Sequence, residues 1–182
     1  SADPEGFIGC FVDGRLAAGI SAVRYGDGFG FIGLYICHPD FRGRGLGRRV
    51  WEAGMAHLGD RVIGLDGVVE QQANYGRMGF APAYDTVRWS IDRMPALPAS
   101  FARCEAITEG DLAEILALDR TFFPAPREDF LSDWLKPPRR AFLCRRQGVV
   151  AGFVVMRPCL GGYKIGPLFA MDGRTAEDLL KV

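Results

Sequence analysis

The chain has 182 residues, 48% of them hydrophobic, 12% aromatic and 24% charged, a composition that buries a core in one domain or two small ones and excludes a disordered, collagenous or coiled-coil chain. Its 22 Lys and Arg balance 22 Asp and Glu, so no global field favours nucleic acid or an anionic membrane. No apolar run approaches the ~18 residues of a membrane span and no signal segment opens the chain, so a soluble, cytoplasmic protein is expected.

Gly6 to Val12 and Arg15 to Arg24 read as a hairpin about the turn pair Asp13-Gly14. Phe29 to Cys37 is apolar on both faces, as a central strand should be, and Pro39 ends it. The period then changes to that of a helix over Gly47 to Leu58, stopped by Gly59-Asp60. Arg61 to Val69 is strand-like, Gln71 to Met78 a short polar helix, and Tyr84 to Asp92 alternates like a last strand. Met94 to Ala102, with two prolines and little charge, reads as a linker. Beyond it come two helices (Asp111 to Leu118, Arg127 to Leu135), a hairpin (Ala141 to Arg146, Val149 to Arg157), a strand (Tyr163 to Ala170) and a helix from Thr175. The order of the first half predicts an α+β or mixed sheet in place of a doubly wound arrangement, and the second half, α-α-β-β-β-α, looks like the same fold in part. Expected boundaries are 1–93, linker 94–102, and 103–182. Five cysteines without C-x-x-C spacing and only two histidines predict free thiols and no metal site.

The informative stretch is Cys37 to Arg49, CHPDFRGRGLGRR. A buried strand ends, a glycine-rich loop follows, and a helix starts at once. Glycines let a bulky anion approach the backbone closely, and the orphan N–H groups of the helix N-terminus point at it. A diphosphate fits such a loop. The spacing is neither G-x-G-x-x-G nor G-x-x-x-x-G-K-[ST], and no aromatic platform accompanies the arginines as nucleic acid would need. A glycine-rich turn that simply feeds a helix is the plain alternative.

HPDFRGRGLG resembles the acyl-CoA-binding motif R/Q-x-x-G-x-G/A of the GCN5-related N-acetyltransferases (GNAT), with Arg42, Gly45 and Gly47 at its defining positions. Tyr75-Gly76-Arg77-Met78-Gly79-Phe80 resembles the same family's Y-x-x-x-G-F. The resemblance covers about residues 6 to 92 and lacks the family's first strand and first two helices; Ser1 fits a natural start lying upstream. The second half is similar to a partial, degenerate copy, as in the family's tandem-domain type, with Met171-Asp172-Gly173-Arg174 where the anion loop would stand.

The resemblance implies a mostly antiparallel sheet flanked by helices, whose fourth and fifth strands (29–37 and 61–69) splay apart. It implies acetyl-CoA as co-substrate without metal, and acetyl transfer to a primary amine of a small molecule or protein by direct attack; a homodimer is left open. Arg42, Gly43, Arg44, Gly45, Leu46, Gly47 and Arg48 would bind the diphosphate. Backbone groups of Leu34, Tyr35 and Ile36, with the Asn74 side chain, would bind pantetheine. Tyr75 would donate to the leaving thiolate. His38, Asp66 and Glu70 are candidates for the general base, each equally readable as an ordinary turn or strand-end residue. A non-catalytic acyl-CoA-binding or regulatory module is the rival reading.

Overall fold

The computed structural model describes residues 3–93 and 104–182, and the predicted linker 94–102 lies outside the described residues. The chain divides after Asp92 into two compact units, each with one four-stranded sheet among the described residues.

In the first unit β1 (Phe7–Val12) and β2 (Arg15–Tyr25) form the expected hairpin. Asp13 and Gly14 both take positive φ, 48° and 75°, which matches a two-residue turn to the twist of its strands. β3 (Phe29–Cys37) lies antiparallel to β2, and α1 (Leu46–Leu58) carries the chain across to β4 (Val62–Leu65), which pairs parallel with β3. The buried stripe of α1, namely Val50, Trp51, Gly54 and Leu58, packs with Ala18, Ile20, Ala22 and Ile32 of the sheet. A Cβ at Gly54 would come within 3.2 Å of Ile20 Cδ1 and 3.3 Å of the Ala22 methyl, so the helix sits as low on the sheet as its backbone allows. Asp3, buried, accepts from the Arg24 backbone N–H (2.8 Å) and Nε (3.1 Å), and lies 2.8 Å from His57 Nε2 in the last turn of α1. Burial opposes its charge, but the bonds from Arg24 and His57 win and hold the carboxyl well below the usual range. Because the folded pKa is depressed, this stability is present above the unfolded value and is lost only as pH falls into strong acid.

Three further helical or strand segments depart from the sequence reading. β4 is four residues long, and the expected strand to Val69 gives way at Leu65 to a loop and a 3-10 turn, Val69–Gln71, leading into α2 (Gln72–Arg77). The alternating segment 84–92 forms no strand; Tyr84, Val87, Trp89 and Ile91 are all exposed. Alternation marks a segment able to pair, and pairing needs a neighbouring ladder that the sheet does not extend to it. Among the described residues, the second unit also has a strand the periodicity does not mark, β5 (Cys104–Ala106), too short to show a pattern.

In the second unit β5, β6 (Arg140–Arg146), β7 (Val149–Pro158) and β8 (Tyr163–Ala170) pair in that order, all antiparallel. Helices α3 (Leu112–Phe122), α4 (Glu128–Trp134) and α5 (Gly173–Leu179) accompany them. The core is built on Ile115, Leu131, Leu143, Phe153 and Val155. Asp119, buried on α3, takes two bonds from Arg127 (2.8 and 2.6 Å), whose guanidinium lies over the Phe123 ring at 4.1 Å. Pairing and the aromatic face together offset the cost of burying both charges. Each unit thus runs through three consecutive antiparallel strands into a helix: β1-β2-β3-α1 and β6-β7-β8-α5. Both are α+β, as the sequence predicts.

Candidate acyl-CoA site

Strand β3 is where regular pairing breaks down. On one side, the register with β2 slips between Gly19↔Ile36 and Ser21↔Gly33, so Leu34 and Tyr35 together oppose one residue. Leu34 takes φ 48°, a left-handed conformation that costs a residue with Cβ about 1–2 kcal/mol. On the other side, the parallel ladder with β4 ends at Ile32↔Leu65, while β3 runs on to Cys37. Among the described residues, no strand covers that edge of Gly33–Cys37. β4 ends at Leu65 with all four of its residues paired, so β3 runs on through Leu34, Tyr35 and Ile36 as a row with no strand on that side among the described residues. Such a row suits an extended amide-bearing chain. Leu34 and Ile36 project to one exposed side, whereas Tyr35 and Cys37 pack against the core.

From the end of β3 the chain makes a 3-10 turn, Pro39–Phe41, then the loop, then α1. His38 Nδ1 accepts from the Asp40 backbone N–H at 3.3 Å, so His38 caps this turn. Arg42 closes the loop by donating from Nε to the Cys37 carbonyl at 3.3 Å. Gly43 and Gly45 take φ 74° and 75°, and a Cβ at either would meet nothing within 4 Å. Here glycine is required by the backbone and the space beside it is open. Gly45 is the N-cap of α1 and offers no side-chain acceptor; the first intrahelical bond is Arg49 N–H to the Gly45 carbonyl, 3.1 Å. The N–H groups of Leu46, Gly47 and Arg48 are therefore the helix's orphan donors. Leu46 is itself buried by its side chain, which fixes where those donors point. A Cβ at Gly47 would lie 3.3 Å from the Tyr35 hydroxyl, which places that phenol beside the first turn. Arg44 lies over the Phe41 ring at 5.3 Å. Arg48, highly exposed, bonds Glu52 one turn on at 2.7 Å.

The start of α5 is built the opposite way. Its N-cap Asp172 accepts from the Thr175 backbone N–H at 2.7 Å and from Thr175 Oγ1 at 3.0 Å. The helix end that could meet an anion already holds a carboxylate, and those bonds keep it ionised by lowering its pKa.

Tyr75, on α2, inserts its ring beside Trp51 (centroids 5.9 Å) and Phe80 (6.3 Å, edge to face), and Trp51 in turn packs on Tyr35 at 5.2 Å. Burial raises the Tyr75 pKa, and it raises that of Tyr35, with the neighbouring Tyr75 and Cys37 adding to it. Both phenols are thus protonated at neutral pH and able to donate. Asn74 is turned elsewhere: its amide bonds Gln71, and its carbonyl oxygen accepts from Arg77. It is engaged within its own helix. Asp66 accepts from Thr86 Oγ1 at 3.3 Å, and Glu70 lies in the 3-10 turn before α2. The structure thus gathers Tyr35, the loop, α1 and Tyr75 around one aromatic cluster with Trp51 at its centre. Trp51 reads from sequence as plain core, and helical periodicity alone carries no sign of its second role as the wall against Tyr75. Among the described residues there is no group of three or more potential metal ligands, and no helix is long and apolar enough to cross a membrane.

Residues 1–80 match the model of the acetyltransferase (GNAT) family, and residues 115–182 match that of an acetyltransferase (GNAT) domain. Holothin acyltransferase of Pseudoalteromonas sp. (strain SANK 73390) is 31% identical over 178 residues, which is 97% of this chain and 60% of that protein. Among solved structures, a protein from Pyrococcus horikoshii assigned as an acetyltransferase superposes over 99% of this chain and 60% of its own, with TM-score 0.74 and 20% identity. A tandem GNAT protein from the clavulanic acid biosynthesis pathway does so over 98% and 69%, with TM-score 0.52 and 17% identity. The chain spans 60% of the length of the curated relative it matches.

Proposed function

The chain belongs to the GNAT family, in its tandem type, and from that premise we propose that it transfers an acetyl group from acetyl-CoA to a primary amine by direct attack. The observation that carries the reading is the pairing of an uncapped helix N-terminus, opened by Gly43 and Gly45, with a strand whose edge is left free just before it. Diphosphate and pantetheine require those two features side by side. A relative named as an acyltransferase at 31% identity supports transfer over binding alone; the acceptor here is an amine of small-molecule or protein origin.

In this reading the N–H groups of Leu46, Gly47 and Arg48 bind the diphosphate. Arg42 and Arg44 add charge from the loop, and Arg48 does so by exchanging its bond to Glu52. Leu34, Tyr35 and Ile36 hold pantetheine by backbone bonds; Asn74 joins them only by giving up its present partners. The free amine attacks the thioester carbon, the C–S bond breaks, and the amine's proton leaves to base or solvent. Tyr75 stabilises the departing sulfur by its O–H. A phenol of pKa ~10 is a weaker acid than a thiol of ~8.5, so hydrogen bonding precedes any transfer of the proton. Thiol release on a panel of primary amines tests the activity: release in step with acetylated amine is expected, and tight CoA binding with no turnover of any amine would leave a binding module instead. A cytoplasmic location is part of the same proposal.

The second unit takes no part in CoA binding. With Asp172 seated on α5, a phosphate there would face a like charge and lose water without new partners. Equilibrium dialysis with labelled CoA is expected to give one equivalent per chain, and a value near two overturns this.

A further inference from the structure

We propose that Gly67 is a positioning residue: the side chain it lacks is the seat of the Tyr75 ring, so residue 67 sets where the phenol points. The inference rests on the reading of Tyr75 as the donor to the leaving sulfur. Gly67 lies just past β4, and its φ is outside the left-handed region, so the backbone does not ask for glycine there. Space does. A Cβ at 67 would lie 2.9 Å from both Cδ2 and Cε2 of Tyr75 and 3.3 Å from Leu65 Cδ1. Gly43 and Gly45 present the reverse case, with positive φ and nothing within 4 Å.

The ring has little freedom to yield. Trp51, itself buried, and Phe80 stand against its other sides. Carbon atoms settle at about 3.5–4.0 Å, so an added methyl at 67 must push the ring away by roughly 0.6–1 Å. A displacement of that size matters at a reacting group, because hydrogen-bond strength falls steeply with distance and angle and misplacement by about 1 Å can cost on the order of 10²-fold in rate.

The test is Gly67→Ala in the full chain. We expect kcat for acetyl transfer to fall about tenfold and KM for acetyl-CoA to stay within about twofold, with a lower melting temperature, since the added methyl overpacks against the Tyr75 ring. In a Tyr75→Phe background the same change should alter kcat less than twofold. The ring resonances of Tyr75 in the unliganded protein should shift, while Gly28→Ala, where a Cβ enters open space, leaves them in place. An unchanged kcat, or the same loss in both backgrounds, overturns the proposal. If Tyr75→Phe lowers kcat but the ring resonances ignore Gly67→Ala, the seat alone is wrong. If Tyr75→Phe leaves the chemical step unchanged, the donor reading falls, and the positioning role falls with it.

Discussion

Gly45→Asp is expected to weaken acetyl-CoA binding by well over tenfold in isothermal titration. Three effects act in one direction. The residue takes φ 75°, where any side chain carries strain, although Asp and Asn bear it better than most. The new carboxylate caps the helix from within, occupying N–H groups that the diphosphate needs. Its charge then repels that diphosphate. Nature supplies the comparison in the same chain, since Asp172 does this at α5. Gly45→Asn separates the causes: it caps without charge and should lose less. A change smaller than tenfold for Gly45→Asp, about 1.4 kcal/mol, would move the site elsewhere.

Tyr75→Phe is expected to lower kcat on the order of 10²-fold, at the low end for loss of a positioned acid, with little change in KM for acetyl-CoA. It removes one oxygen and keeps the ring that Trp51 and Phe80 hold, so folding is not the variable. Loss confined to the chemical step marks an interaction made in the transition state. Because burial raises the phenol's pKa, the rate that depends on it should hold through neutral pH and fail only above its ordinary ~10. Single-turnover rates decide: if they match those of the unmodified protein, Tyr75 is a packing residue.

The order of elements in both halves is legible because each strand and helix carries its own period, and turn pairs such as Asp13-Gly14 punctuate them. The loop is legible because glycine at 43 and 45 answers a local demand of the backbone. Other features depend on distant residues and leave no local mark. Tyr84 to Asp92 has the alternation of a strand, yet a strand exists only where a neighbour receives it. Asn74 stands beside Tyr75 in sequence, but Gln71 and Arg77 sit one turn away on either side and take its amide. Arg48 is likewise drawn to Glu52. Gly67 looks like any turn glycine until the ring that fills its space is placed. The break of β3 from β4 is partly legible: the length of the apolar run 29–37 is clear, and the shortness of its partner is not.

The contrast between the two helix starts also has a thermodynamic side. The α5 terminus carries its own counter-ion, so its donors are satisfied whether or not anything is bound. The α1 terminus in the free protein leaves its donors to water, and a ligand there binds only the folded form. By linkage, ligand at a hundredfold its Kd adds about 2.7 kcal/mol to the free energy of any opening that destroys the site. Amide hydrogen exchange would show that increment in β3, α1 and the strands beneath them, where opening and release of ligand are one event.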